Sequence, residues 1–455
     1  MTELPILGHD SATAVCAYRQ GRPVTVAAFV RDVRRLAAQL PDRPYIFNLC
    51  GDRYRFAVGL CAALVRGQIS LLPPNYTPDF IARLSAAYAG VYCLVDGARD
   101  YPGMEAFAFP DLEVGAAIPP AADAAALVPR IPAAQCAALV FTSGSTGDPV
   151  AHPKSWGSLV ADGTTEAAEL GIAHGSGIAL LGTVPPQHMY GLETTVLMPL
   201  LAGLALVAEK PFYPADVRAG LAALPAPRGL VTTPVHLRAL LEEDAPLPPA
   251  ELVLSATAPL APELASAAEA RFAAPLYEIY GCTEAGQIAT RRTVQQEAWK
   301  LFPGVAFQRG PDGRTWVQGG HVEIVAPLGD VIEQNPDGTF LLLGRTSDMV
   351  NIGGKRTSLQ SLNHHLNSIE GVRDGIFVLP DDDAARPVAF VVAPGLDEAA
   401  IISALRERMD PVFLPRPLVL VEALPRNPTG KVTRETVRRL LDECAPSRPG
   451  RRAAP

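Results

Sequence analysis

FTSGSTGDPVAHPKSW, residues 141–156, is the stretch on which the reading of the whole chain turns. Just before it, Ala137–Phe141 (AALVF) is a short apolar run ending at a turn signal, the pattern of a buried strand. Residues 142–148 carry almost no side chain larger than threonine, and Pro149 and Lys154 come after them. A strand running into Thr142, Ser143, Gly144, Ser145, Thr146 and Gly147 lets backbone N–H groups converge on an anion, and the hydroxyls add donors. A polyphosphate is the ligand most consistent with such a loop. It is not a Walker A loop, because GxxxxGK[ST] occurs nowhere: Gly354-Lys355 is followed by Arg356, and Gly430-Lys431 by Val432. A flexible linker shares this composition, but it needs neither a strand before it nor a lysine after it.

The chain has 455 residues, too many for one compact core, and suggests at least two domains. Its 48% hydrophobic and 19% charged residues are those of an ordinary soluble protein. A net charge of −8 argues against a nucleic-acid partner, which calls for a basic footprint. No apolar run approaches the roughly 20 residues of a membrane span. The start, MTELPILGHDSATAV, lacks the basic head and apolar core of a signal peptide. Seven scattered cysteines with no CxxC pair argue against a disulfide framework or zinc site, and for a reducing cytoplasm.

Around the opening loop, strand and helix signals alternate. Residues 24–40 have helical spacing, Tyr45–Cys50 reads as a strand, Arg53–Arg66 as a helix and Ile69–Leu72 as a strand again. Thr77-Pro78 supplies a cap and first-turn proline for a helix through Tyr88. Later strands fall at 178–184, 205–208, 230–233 and 252–256, with helices such as 214–224 and 262–272 between them. Such alternation implies α/β architecture with parallel sheets covered on both faces. From Trp316 the texture turns to strands and turns, and beyond Arg345 to a smaller α+β stretch. The expected domains are 1–345 and 346–445, with 446–455 a flexible tail. From Arg406 onward 11 basic residues face 6 acidic ones, a locally basic end on an acidic protein.

Three further segments carry polar chemistry. In YGCTEAGQ, residues 280–287, a carboxylate (Glu284) adjoins a hydroxyl (Thr283) in a glycine-flanked turn, a hard-oxygen set that suits Mg²⁺ bridging phosphates. LLGRTSDMVNIGGKR, 342–356, places an arginine at a strand end before a double-glycine turn. LPRNPTGK, 424–431, holds a lysine at the tip of a turn. Each alone reads equally as a capped turn, a solvated hairpin or a surface lysine.

Together and in order, FTSGSTGDP, SATAPL (255–260), YGCTE, LGD (328–330), GRTSDMVNIGGKR and LPRNPTGK strongly resemble the adenylate-forming superfamily. That superfamily comprises acyl-CoA synthetases, peptide-synthetase adenylation domains and firefly-type luciferases. The resemblance spans nearly the whole chain. It implies a large N-terminal region with two parallel sheets and a barrel-like sheet, plus a small mobile C-terminal lid. The implied reaction is attack of a carboxylate on the α-phosphorus of ATP, release of pyrophosphate, and transfer of the acyl group from the adenylate to a thiol. Because an anion attacks an anion, preorganised cations are the expected remedy.

By this resemblance Lys431 reaches both the carboxylate and the α-phosphate, the Thr142–Gly147 loop holds the β- and γ-phosphates, and Glu284 holds Mg²⁺. Asp330 takes the ribose hydroxyls, with Arg345 nearby. Ala256, Thr257 and Ala258 with Tyr280 and Gly281 enclose the adenine. The lid turns about Ser347 and Asp348, and Gly353, Gly354 and Lys355 shape a thiol tunnel. Two positions depart from the family pattern. Val150 replaces a lysine after the loop's proline, so that either Lys154 takes over its role or no lysine is needed, and Ser347 replaces the usual hinge Asp or Lys.

The segment 185–193 (PPQHMYGLE) contains no aspartate to hold an amine, so an α-amino acid is not the expected substrate. His188, Tyr190 and Gly191 sit where acyl- and aryl-acid ligases line the pocket, and His236 begins a helix that would form its wall. His188 reads equally as a substrate contact or a structural histidine, while Glu193 is expected to cap a helix or face solvent. TSGSTGDPVAHPKSW and QHMYGLE are similar to carrier-protein ligases of aryl-polyene and xanthomonadin-type pathways. This implies a hydroxybenzoate-like acid loaded onto a phosphopantetheinylated acyl carrier protein, docked by Arg408, Arg416, Arg434, Arg438 and Arg439. The alternatives are an aryl- or medium-chain acyl-CoA synthetase using free CoA, and a non-catalytic binder of the same fold.

Overall fold

A computed structural model describes residues 2–73, 78–97, 104–111, 124–143, 149–311, 313–345, 349–352, 355–380, 386–426 and 432–444. The chain divides into two compact units, Met1–Leu328 with Pro336–Thr339, and Gly329–Asn335 with Phe340–Pro455. The hairpin Asp330–Gln334/Phe340–Arg345, which precedes the domain boundary expected from sequence, packs with the smaller unit.

Two sheets dominate the first unit. In the nine-stranded one, Val15–Arg19, Ala205–Val207, Ala179–Gly182, Arg228–Thr232, Leu252–Ser255 and Leu276–Cys282 run parallel in that spatial order. Antiparallel strands Arg22–Thr25, Gly286–Arg291 and Lys300–Leu301 complete its two sides. The central strands read as unbroken apolar runs because both faces are covered, as parallel sheets require. The six-stranded sheet runs Pro149–Ser155, Cys136–Ser143, Ile69–Leu72, Tyr45–Asn48, Tyr92–Val95, Ala106–Ala108, parallel except for its first pair. A third sheet is antiparallel and three-stranded: Val305–Arg309, Thr315–Gly319, Val322–Pro327.

Local chemistry sets the boundaries. The helix expected from residue 24 starts at Val26, because the Thr25 hydroxyl accepts the Ala28 N–H and the preceding residues pair as an edge strand. Val26, Phe29, Val30, Val33, Leu36 and Ala37 then recur at helical spacing and are buried. PVAHPKS pairs with Cys136–Ser143 as a strand although it contains two prolines. It can do so because it is the outermost strand, where a missing N–H donor goes unmissed.

Arg53 ties the parallel strand ends together. Its guanidinium, fully buried, donates to the carbonyls of Val207, Glu209, Gly182 and Val184 at 2.8–2.9 Å. The second unit pairs Met349–Ile352 with Lys355–Ser358, and lines up Asp374–Val378, Val388–Val392 and Leu418–Leu420 beside helices Leu359–Asn367, Glu398–Arg406 and Arg434–Cys444. Among the described residues no helix is long and apolar enough to cross a membrane.

Candidate active site

The strands flanking the hydroxyl-rich stretch pair antiparallel, with Thr142 opposite Val150 and Ser143 opposite Pro149, while Gly144, Ser145, Thr146 and Gly147 lie outside the described residues. Thr142 Oγ1 stands 2.9 Å from His152 Nε2 on the return strand. The same imidazole nitrogen lies 4.0 Å from Glu284 Oε1. Burial lowers the His152 pKa, with the Glu284 charge opposing. The strands that flank the opening loop and the carboxylate turn therefore meet at the same place in the first unit.

That turn joins Leu276–Cys282 to the antiparallel strand Gly286–Arg291, with Cys282 opposite Gly286 and Thr283, Glu284 and Ala285 at the tip. Gly286 has φ +86°, a left-handed conformation that side chains resist. A Cβ on Gly281 would lie 2.2 Å from the Gly286 carbonyl oxygen, so the two strands close only around a glycine. Glu284 keeps its carboxylate partly exposed beside Thr283, and a hard-oxygen pair of this kind fits Mg²⁺. Burial pushes the Cys282 thiol up to about 12, so this cysteine is no nucleophile.

The segment expected to enclose adenine follows Leu252–Ser255 directly. Thr257 has φ +80°, an outlier for a β-branched residue and a form of strain that gathers at binding sites. Glu278 fixes this segment: its carboxylate accepts the Leu260 N–H at 3.2 Å and pairs with Arg291 at 2.6 Å. Tyr280 lies tilted against Trp299, ring centres 5.6 Å apart, and the Arg291 guanidinium sits 4.5 Å from the Trp299 ring centre.

On the acid side, Tyr190 is buried and its hydroxyl donates to the Thr232 carbonyl at 3.2 Å. The Thr183 and Thr232 hydroxyls, at the ends of neighbouring parallel strands, are 2.9 Å apart. His188 caps helix Met189–Leu192 by position, without a side-chain capping bond. Gly191 admits no Cβ, which would sit 2.0 Å from the Pro185 carbonyl oxygen. His236 Nδ1 lies 2.9 Å from the Thr233 hydroxyl, its ring edge-on to exposed Phe212. In the second unit Asp330 pairs opposite Arg345, and Lys355 opposite Ile352. Ser347, Asp348, Gly353, Gly354 and Lys431 lie outside the described residues.

Glu193, expected to cap a helix or face solvent, takes the C-cap position of helix Met189–Leu192 through its backbone N–H and is 2% exposed. It opens a π-helical turn, Glu193–Leu197, between helices Met189–Leu192 and Met198–Ala202. Interruptions of this kind often mark functional regions. Glu193 joins a buried polar cluster that sequence reasoning missed. Asp162 hydrogen-bonds Glu193 and lies 3.5 Å from His321 Nε2, while Glu166 accepts from Thr194 at 2.8 Å. Gln287 donates to the Thr194 hydroxyl at 3.1 Å. The one available signal was the four-residue spacing of Asp162 and Glu166, which puts both on one helix face. Lys154 is also buried, its Nζ donating to the Glu284 carbonyl at 2.6 Å. Among the described residues no three His, Cys, Asp or Glu groups are arranged to hold a metal ion.

Parallel strands that end in a hydroxyl-rich stretch, a strained Ala-Thr-Ala turn and a glycine-closed carboxylate turn define the adenylate-forming class. The family profile described as AMP-binding enzyme matches residues 9–310, that of the AMP-binding enzyme C-terminal domain matches 366–431, and the chain belongs to this family. It is an AMP-forming acid–thiol ligase. The chain is 30% identical over 300 residues to a 4-coumarate–CoA ligase of Rhodobacter capsulatus, covering 65% of this chain and 74% of that protein. A shorter match, 30% over 119 residues (24% of this chain, 22% of the other), is to a medium/long-chain-fatty-acid–[acyl-carrier-protein] ligase of Mycobacterium tuberculosis. O-succinylbenzoate coenzyme A synthetase of Bacillus subtilis in complex with AMP shares the fold. Its TM-score is 0.78 at 19% identity, over 95% of this chain and 98% of that one.

Proposed function

We propose that the protein uses ATP to convert an aromatic, hydroxybenzoate-like carboxylic acid into its acyl-adenylate, releasing pyrophosphate, and then passes the acyl group to the phosphopantetheine thiol of an acyl carrier protein. The observation that carries this reading is the meeting of Thr142, His152 and Glu284, where the strands flanking the hydroxyl-rich stretch lie beside a carboxylate turn. Thr283 and Glu284 would hold Mg²⁺, which when bound neutralises phosphate charge. Thr142 and the loop after it bind the polyphosphate, and neutral His152 orients the Thr142 hydroxyl. Asp330 and Lys431 keep the roles that the family resemblance assigns them.

An aromatic acid is favoured by likeness to a coumarate ligase and by the apolar surroundings of Tyr190. Carrier protein as acceptor is favoured by the exposed arginines Arg408, Arg416, Arg438 and Arg439 at the basic C-terminal end. Free CoA is the second reading, favoured by the CoA ligases among the relatives. The test is pyrophosphate release across a panel of carboxylic acids, then mass analysis with phosphopantetheinylated carrier protein against CoA. Release with hydroxybenzoates and acylation of the carrier support the proposal. Release only with fatty acids, or acylation of CoA alone, overturns its finer part.

A further inference from the structure

Lys154 is 5% exposed, and its ammonium donates to the backbone carbonyl of Glu284, 130 residues away in sequence, at 2.6 Å. Its charge acts on both Asp162 and Glu193, which hydrogen-bond each other. These carboxyls come from helix Trp156–Glu169 and the π-helical turn Glu193–Leu197, and both are 2% exposed. They press against the turn itself: a Cβ on Gly286 would lie 2.8 Å from Glu193 Oε1 and 3.3 Å from Asp162 Oδ2. Burial holds both carboxyls above their usual ranges, Asp162 well above, and the Lys154 charge opposes this at each. A buried cation beside such a pair is stable where one without a counter-charge is not.

We propose that Lys154 is a positioning residue: buried within the field of the Glu193–Asp162 pair, it anchors the Thr283–Glu284 turn through the Glu284 carbonyl and so presets the side chains that receive the nucleotide. The link to nucleotide rests on the function proposed for Glu284; the anchoring itself does not. Lys154 thus supports the phosphate site through the Glu284 backbone, in place of the direct phosphate contact expected from its sequence position.

The experiment uses the full chain and three variants: Lys154→Met, Glu193→Gln, and both together. Hydrogen exchange of the peptide covering 280–287, thermal unfolding, and acid-dependent ATP–pyrophosphate exchange are measured on each. Lys154→Met leaves a buried carboxylate without its counter-charge, so its melting temperature falls by about 5 °C or more. The double variant removes both charges and recovers most of that loss. Its 280–287 peptide nevertheless exchanges at least ~10-fold faster than wild type, with helix 156–169 unchanged. Its KM for Mg·ATP rises ~10-fold while the KM for the acid stays within ~2-fold. Recovery of wild-type hydrogen exchange in the double variant would overturn the anchoring and leave Lys154 a mere counter-charge. Altered hydrogen exchange with an unchanged KM for Mg·ATP would overturn the preset of the nucleotide site. A wild-type protein inert with every acid would instead overturn the proposed function, with the hydrogen-exchange result still deciding the anchor.

Discussion

Thr142 and His152 meet diagonally across two antiparallel strands, hydroxyl to imidazole at 2.9 Å, and the same imidazole nitrogen is 4.0 Å from the Glu284 carboxylate. The first donor of the loop is thereby oriented by a side chain that also faces the acid of the neighbouring turn. Glu284→Gln keeps the shape of this arrangement and removes its charge. Pyrophosphate exchange is expected to fall by about 10²–10³, the usual cost of losing one preorganised electrostatic group. Because Glu284 is partly exposed, the unfolding midpoint in urea should stay near that of wild type. A variant that exchanges at the wild-type rate would remove Glu284 from the site.

Lys431→Ala separates the two half-reactions. With the proposed cation gone, adenylate formation is expected to be lost to background in pyrophosphate exchange. Thioester formation from a synthetic acyl-adenylate should stay within a few-fold of wild type, since no anion then attacks a phosphate. Equal loss of both steps would refute the role given to Lys431.

Arg53 makes a stability prediction independent of catalysis. Its guanidinium satisfies four backbone carbonyls where two parallel strands end. Arg53→Met leaves those carbonyls buried and unmatched, at a cost of about 3 kcal/mol or more in urea unfolding. Arg53→Lys should recover only part, because one ammonium cannot reproduce the planar fork. Equal stability of wild type and Arg53→Met would show that the carbonyls find other donors.

The parallel strands were legible because covering both faces of a sheet demands short unbroken apolar runs such as Leu252–Ser255, bounded by turn residues. The loops were legible because glycines and hydroxyls cluster where backbone must approach a ligand. PVAHPKS was not read as a strand, since its prolines argue against one and only its outermost place in the sheet removes the objection. The burial of Asp162, Glu166 and Glu193 was not legible, for a different reason. A lone carboxylate in a helix is ordinarily solvated, and nothing local reveals that Lys154, Gln287 and His321 arrive from distant strands and turns to receive it. The π-helical turn that carries Glu193 inward likewise leaves no periodic signature in ETTVL.

That buried cluster should give stability two opposed pH slopes. Burial pushes the Glu166 carboxyl up to about 8, with the Thr194 hydrogen bond opposing. The unfolded chain releases this proton near the ordinary glutamate value while the folded chain retains it, so the contribution is full at low pH and lost as pH rises towards 8. His321 runs the other way: burial pushes its imidazole down to about 4, with the Gln287 backbone contact opposing. Below its ordinary value of 6.5 the unfolded chain binds a proton that the folded chain refuses, so stability falls between pH 6.5 and about 4. Each slope approaches 1.4 kcal/mol per pH unit at its steepest, or about 3 kcal/mol across the His321 window. Urea unfolding of wild type, Glu166→Gln and His321→Gln from pH 4.5 to 8.5 reads both. Glu166→Gln is expected to gain on wild type steadily from pH 5 to 8, and His321→Gln to gain on it as pH drops below 6.5. Parallel curves for wild type and Glu166→Gln would mean that Glu166 is already ionised in the fold and matched by Lys154.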